Sequence, residues 1–459
     1  MTHTAFNSLP LSAAMLANLE SLGYTEMTAV QAQSLPVILK GMDLIAQAKT
    51  GSGKTAAFGI GLLNPLNPRY FGCQALVLCP TRELADQVAK EIRRLARGAD
   101  NIKVLTLCGG VPFGPQIGSL EHGAQIIVGT PGRIQQHLSK GTLKLDGLNT
   151  LVLDEADRML DMGFYDSIAE IIGQTPSKRQ TLLFSATYPA GIKQLSAAFM
   201  RDPQQVRAES MHGNSQIEQR FYEIAPEERM DAVVRLLACF RPESCVAFCF
   251  TKQQCQELVE HLGANGISAM ALNGDLEQRD RDQVLAMFAN RSLSVLVATD
   301  VAARGLDIDA LDMVINVELA RDSEIHIHRV GRTGRAGEKG MAMSLVAPPE
   351  AHRAQAIEVL QKGPLNWHPL NSLKAQTGAA LQPPMVTLCI AGGRKDKVRP
   401  GDILGALTGD AGIPGTQVGK IAIFDFQAYV AVERSVASLA LKRLNEGKIK
   451  GRSLRVRLL

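Results

Sequence analysis

Nowhere does this chain hold the ~18 consecutive apolar residues of a membrane span, although 46% of its 459 residues are hydrophobic. Its first residues, Met-Thr-His-Thr-Ala-Phe-Asn, lack the basic and apolar segments of a secretory signal. The eight cysteines are scattered, and Cys245, Cys249 and Cys255 miss the paired spacing of a zinc site. These absences predict a cytoplasmic protein with no membrane contact and reduced thiols, several of them (Cys79, Cys108, Cys249) in apolar strand-like runs. Aromatic residues are few, at 5%, and the single tryptophan, Trp367, is expected to pack against the second domain. No heptad run or surplus apolar helix is visible, so a monomer is expected. An excess of one charge is nearly absent overall, with a net of +4. It is concentrated, however: residues 385–459 carry 13 Lys/Arg against 6 Asp/Glu, and the remainder 36 against 39. A basic tail on a near-neutral body points to nucleic acid.

Two short segments carry most of the chemistry. Ala48-Lys49-Thr50-Gly51-Ser52-Gly53-Lys54-Thr55 is a phosphate-binding loop, with Ala48 where a glycine usually stands. Its glycines let backbone N–H groups close around phosphates, Lys54 reaches the β/γ oxygens, and the Thr55 hydroxyl is placed for Mg²⁺. About a hundred positions further on, Leu151-Val-Leu-Asp154-Glu155-Ala-Asp157 is an apolar strand that ends in acid. Asp154 offers a carboxylate to the metal, and Glu155 beside it can polarise a water. Either segment alone is a weak signal. Together they specify a nucleoside triphosphate site.

Short apolar runs alternate with amphipathic stretches, the signature of parallel α/β sheets. Two doubly wound domains are expected, at residues 1–208 and 217–363, joined by the polar stretch 209–216. A linker, 364–384, leads to a small module at 385–459. That module reads β (386–390), α (401–408), β (420–423), β (429–432), α (435–445), β (454–458), the layout of an RNA-recognition-motif sheet.

With these segments in order, residues 1–350 resemble a DEAD-box RNA helicase, whose core is a pair of RecA-like domains. Phe6, Gly23-Tyr24, Thr28 and Gln31 are similar to the family's Q motif, with Met27 and Ala29 where prolines are usual. The resemblance implies that the Gln31 amide reads adenine and that an aromatic ring stacks nearby. Arg82 in Pro80-Thr-Arg-Glu-Leu-Ala85, Gly109-Gly110, and Thr130 and Arg133 in Thr130-Pro-Gly-Arg133 would face the backbone of single-stranded RNA. Ser185-Ala-Thr187, with Asp157, would couple the state of ATP to RNA strand separation. In the second domain Thr251, Gly274-Asp275 and Gln278-Arg279 match RNA-side elements, with Asn273 replacing the family's histidine. Within Ala298-Thr299-Asp300-Val-Ala-Ala-Arg304-Gly305-Leu-Asp307, Thr299 and Arg304 would bind RNA phosphate, and Gly305 and Asp307 the nucleotide ribose. In His328-Arg329-Val-Gly-Arg332-Thr-Gly-Arg335, spacings of four and three place His328, Arg332 and Arg335 on one helical face. The resemblance makes Arg332 and Arg335 arginine fingers, so that hydrolysis needs ATP and RNA together.

The tail resembles the RNA-binding domain of the DbpA branch of that family, through 392–401, 404–409, 418–421 and 447–452. Arg394, Lys395, Lys397 and Arg399 form one basic loop, and Lys448, Lys450 and Arg452 a second. Stacking aromatics are sparse, with Tyr429 in the strand where the usual motif carries several, which favours a folded RNA read by shape and polar contacts. The resemblance implies a hairpin of 23S rRNA and pre-50S ribosomal particles as partners. An ATP-gated RNA clamp, or a general messenger-RNA remodeller with a nonspecific tail, would use the same motifs.

Overall fold

The computed structural model describes residues 4–48, 51–188, 190–207, 217–303, 311–334, 340–374, 381–410 and 412–459. They fall into two compact units, one N-terminal and one running from the second sheet to the C-terminus. Lys49, Thr50, Arg304, Gly305, Asp307 and Arg335 lie outside the described residues.

The N-terminal unit is built on seven parallel strands. They are β1 (Leu44–Gln47), β2 (Ala75–Leu78), β3 (Val104–Leu107), β4 (Ile126–Gly129), β5 (Thr150–Leu153), β6 (Gln180–Ser185) and β7 (Gln204–Arg207), in the order β3-β4-β2-β5-β6-β1-β7. Alternate residues enter different cores. Val77, Val128 and Val152 pack on one face, while Leu76, Ile127 and Leu151 pack on the other. Burial on both sides is why β2, β4 and β5 are nearly continuous apolar runs and not alternating. It is also why all their ligand-binding potential lies at the strand ends.

The second unit opens with a sheet of the same topology. Its strands are β8 (Ile217–Glu223), β9 (Cys245–Cys249), β10 (Ala269–Leu272), β11 (Val295–Thr299), β12 (Met313–Asn316), β13 (Gly340–Val346) and β14 (Trp367–His368), in the order β10-β11-β9-β12-β13-β8-β14. Residues expected to begin a linker at 364 instead continue this sheet. Trp367 and His368 pair with Phe221 and Tyr222 on β8, and Leu370 is buried in the core. Apolar side chains at 365 and 370 drive that extension. Trp367 does pack on the second domain, with its ring 5.8 Å from Phe221, but as an edge residue still 47% exposed.

The third sheet is antiparallel: β15 (Met385–Ile390), β16 (Val418–Ile423), β17 (Ala428–Glu433) and β18 (Val456–Leu458), ordered β16-β17-β15-β18. Val386, Leu388, Ile390, Val430 and Val432 face its own two helices. The alternate residues Cys389 and Tyr429 pack against Ala286, on the helix Gln278–Ala289 of the second domain. Buried polar contacts pin this docking. Asn290 Nδ2 donates to Thr387 Oγ1 at 2.8 Å, and the Ser292 and Thr387 hydroxyls meet at 2.5 Å. The face on which an RNA-recognition motif usually stacks bases is therefore covered by protein.

Candidate active site and RNA-facing edges

The nucleotide loop leaves β1 and enters the helix Lys54–Leu63 through Gly53, whose φ of +93° is left-handed. A side chain there would also meet Gln31 Nε2 at 2.6 Å and Thr28 Oγ1 at 3.0 Å, so only glycine fits. Lys54 is buried and donates from Nζ to the Ala48 carbonyl at 3.0 Å. Ala48 N in turn donates to Ser185 O at 2.9 Å, which ties the loop to the end of β6. Thr28 and Gln31 cap the helix Ala29–Ile38 reciprocally. The remaining Gln31 contact runs from Nε2 to Gly53 O at 3.1 Å. That leaves one amide hydrogen and one carbonyl lone pair of Gln31 for a ligand edge. Tyr24 donates to Glu91 Oε1 at 2.5 Å and meets Phe6 edge-on at 6.2 Å. Burial and the Glu91 carboxylate raise the tyrosine pKa. Tyr24, Thr28, Gln31, Gly51, Gly53, Lys54, Thr55, Asp154 and Glu155 line one cleft of about 400 Å³.

The acids stand at the end of β5, and all three are at most 5% exposed. Burial pushes the Asp154 pKa up to about 7 against the pull of Lys54. An acid so poorly compensated favours a cation as partner. Glu155 adopts a left-handed φ of +51° and lies 3.2 Å from Arg158 Nη1. Asp157 reaches the turn after β6. Its Oδ2 accepts from Ala186 N (3.2 Å), Thr187 N (3.0 Å) and Thr187 Oγ1 (2.9 Å), while Ser185 donates to Thr187 O at 2.7 Å. The acidic strand end and the Ser-Ala-Thr turn are thus one hydrogen-bonded unit.

The residues of this domain expected to face RNA follow the neighbouring strands β2, β4 and β3 on the same edge. Arg82 opens the helix Arg82–Leu95, capped by Thr81. Thr130 precedes the helix Pro131–Ser139, and Gly109-Gly110 follow β3. Arg133 is already engaged: its guanidinium donates to Val111 O at 3.1 and 3.2 Å and to Gln116 Oε1 at 2.8 Å. It holds the segment after the glycine pair as well as offering charge.

In the second domain Thr251 caps the helix Lys252–Ala264, and Asn273 Oδ1 accepts from Asp275 N at 3.0 Å. Thr299 ends β11, nearly buried, and its hydroxyl accepts from Ala302 N. These sites follow β9, β10 and β11, the counterparts of β2, β3 and β4. The expectation that His328 and Arg332 share one helical face is corrected here, Arg335 lying outside the described residues. The helix Ser323–Val330 stops at Gly331, and Thr333 is drawn into a bridge with Leu311 beyond it. Arg332 therefore sits in a turn after the helix, 7% exposed. Arg329, which motif spacing alone does not single out, is the buried anchor of this edge. Its Nε and Nη2 donate to the two Asp300 carboxylate oxygens at 2.6 and 2.7 Å, and Nη1 to Glu318 O at 2.7 Å. Its guanidinium also lies 5.0 Å from the Phe248 ring centroid. The available signal was its offset of one residue from His328, which turns it inward.

Sequence comparison agrees with this geometry. Residues 28–195 match the DEAD/DEAH box helicase family, 228–337 the helicase conserved C-terminal domain, and 387–458 the DbpA RNA binding domain. Over 459 residues the chain is 57% identical to the ATP-dependent RNA helicase DbpA of Escherichia coli, covering 99% of this chain and all of that one. It is a DEAD-box RNA helicase. As such it is an ATP-dependent enzyme that acts on RNA. The DEAD-box helicase CshA of Bacillus subtilis is 44% identical over 358 residues, 78% of this chain and 72% of that protein. S. cerevisiae Dbp5 bound to RNA and ADP BeF3 superposes with a TM-score of 0.72 at 29% identity, covering 80% of this chain and 96% of that one.

The two basic loops of this helicase's tail lie side by side. Lys450 Nζ donates to Lys397 O at 2.6 Å, and Arg452 Nη1 reaches Asp396 O at 3.5 Å, so the two basic loops adjoin. Lys397 and Lys450 both take left-handed φ values, 60° and 53°. Arg394, Lys395, Arg399 and Lys448 are exposed.

Proposed function

We propose that this helicase locally separates short RNA duplexes in large-subunit assembly, with its tail anchored on a hairpin of 23S rRNA. The observation that carries the reading is the pairing of a complete motif set with a docked basic domain of the DbpA type. Docking fixes the anchor to the second domain, and a tethered anchor raises the core's effective concentration near its duplex to roughly millimolar.

In this reading Lys54 neutralises the transferred phosphoryl group and Glu155 orients the attacking water. Thr55 and Asp154 would hold Mg²⁺ beside the phosphates, and the elevated Asp154 pKa fits a carboxylate meant to meet a cation. When bound, the metal supplies charge neutralisation of the β and γ oxygens. Arg332 and Arg335 act as fingers on the leaving charge. Gly305 and Asp307 take the ribose, and Thr251, Thr299 and Arg304 take RNA phosphate. Asp157 passes the state of the nucleotide to Ser185 and Thr187.

The test is steady-state ATPase with no RNA, an unrelated single strand, and hairpin fragments of 23S rRNA, together with displacement of a short duplex. Stimulation confined to one ribosomal fragment, with displacement, is the expected result. Equal stimulation by any RNA would reduce the tail to a nonspecific anchor. ATPase without displacement would make the protein an ATP-gated clamp.

A further inference from the structure

With its sheet face covered, the tail has lost the usual surface for stacking bases, yet one large aromatic remains in solvent. Phe426 is 71% exposed at the tip of the β16–β17 hairpin, where Phe424 N donates to Gln427 O at 2.8 Å. Its neighbour Phe424 is spent inward, edge-on to Tyr429 at 5.5 Å.

The hairpin tip and the first basic loop are one rigid piece. Arg394 N donates to Phe424 O at 2.8 Å and Lys395 N to Asp425 O at 2.9 Å. Arg394 Nη2 donates to Ile423 O at 3.1 Å, and its Nε lies 3.7 Å from Asp425. The approach is close enough that a side chain at Gly393 would meet Phe424 O at 2.2 Å. The second basic loop joins the same piece through Lys450 and Lys397. On the other side Arg279 of the second domain donates to Gln427 Oε1 at 3.3 Å.

The geometry points to Phe426 as the base-stacking residue of the tail, set in a basic rim that runs from Lys448 and Lys450 through Lys395 to Arg279. This rests on the reading of the tail as an RNA anchor and specifies which part of the RNA it holds. Lysines beside the ring grip phosphates without regard to sequence. The ring adds a flat apolar platform that only an unpaired base can cover. A loop nucleotide next to a stem supplies both features.

The experiment uses the full chain, a 23S rRNA hairpin fragment with 2-aminopurine in its loop, and the same strand annealed to its complement. For Phe426→Ala we expect about a 10-fold weaker affinity for the hairpin, loss of 2-aminopurine quenching, and no change for the annealed duplex or for RNA-free ATPase. Phe426→Trp should retain the affinity and Phe426→Leu should not. Unchanged hairpin affinity in Phe426→Ala, or an equal loss on the duplex, overturns the stacking role. The double variant Lys395→Glu/Lys448→Glu separates this from the anchor itself. A loss there without one in Phe426→Ala rejects stacking and keeps the anchor, while no loss in either rejects both.

Discussion

The two seven-stranded sheets have the same strand order and the same edge in use, but opposite treatments of the acid at the equivalent strand end. After β5, Asp154 is buried with little compensation and its pKa rises to about 7. Shortly after β12, Glu318 is also buried but satisfied: Oε2 accepts from Phe250 N at 2.8 Å, and Oε1 accepts from the Gln254 side chain. The counterpart of the phosphate loop is also missing, since β8 runs into Ile224-Ala-Pro-Glu-Glu. One topology therefore serves two purposes. The first sheet keeps a buried acid with little compensation at its strand end, and the second satisfies its own with a backbone N–H and a glutamine amide. Fold alone would not have told these apart; the difference lies in which acids keep unsatisfied capacity.

The sharpest way to break the comparison is to remove what each sheet is proposed to contribute to hydrolysis. Arg335→Ala should lower RNA-stimulated ATPase by about 10³-fold or more while nucleotide binding persists. Glu155→Gln should also bind ATP and RNA yet release phosphate slowly, whereas Glu318→Gln should leave turnover near normal. Single-turnover phosphate release alongside nucleotide titration checks all three. Near-normal turnover in Arg335→Ala would remove the second domain from the chemistry.

Next in size is the structural role assigned to the second edge. Arg329 is 2% exposed, and its removal strands Asp300 and the Glu318 carbonyl. Arg329→Met should cost about 3 kcal/mol, the usual penalty for breaking a buried pair. Denaturant unfolding of the full chain would read this as a loss confined to the second unit's transition. An unchanged midpoint would mean the arginine is held for RNA and not for stability.

Much of this architecture was legible because strands buried on both faces are continuous apolar runs, as at Ile126–Gly129 and Cys245–Cys249. The phosphate loop and the acidic box were legible because their spacing is dictated by a phosphate chain. Arg329 was not, because a basic run does not say which cation turns inward; only Asp300 across the edge decides it. The docking of the tail was also hidden, although a clue existed. Ala428-Tyr-Val-Ala-Val432 is apolar at every position, which a sheet with one wet face would not be. The short helix end at Gly331 escaped because the pairing of Thr333 with Leu311 is a tertiary contact that local spacing cannot anticipate.

The smallest effect expected concerns a feature the two domains share, a buried neutral histidine beside an arginine. His137 stacks on Phe113 at 4.1 Å, with Nδ1 2.9 Å from the Thr142 hydroxyl and Nε2 3.0 Å from Gln116 Oε1. Burial, then Arg133 and Lys140, lower its pKa to about 4; burial and Arg329 lower that of His326 to about 3. In each case the unfolded chain takes the proton first. The stability these rings contribute is therefore complete above about pH 6.5 and is lost as pH falls toward 4. For His137 the loss between pH 7.5 and 5.5 should be on the order of 1 kcal/mol. Urea unfolding at the two pH values should show it in the first unit's transition, with His137→Gln less stable throughout but flatter. Because Gln116 also holds Arg133, protonating His137 should loosen the segment after Gly109-Gly110. RNA affinity of the wild type should then weaken over the same range while that of His137→Gln stays level. A parallel decline in both proteins would place the pH dependence outside this stack.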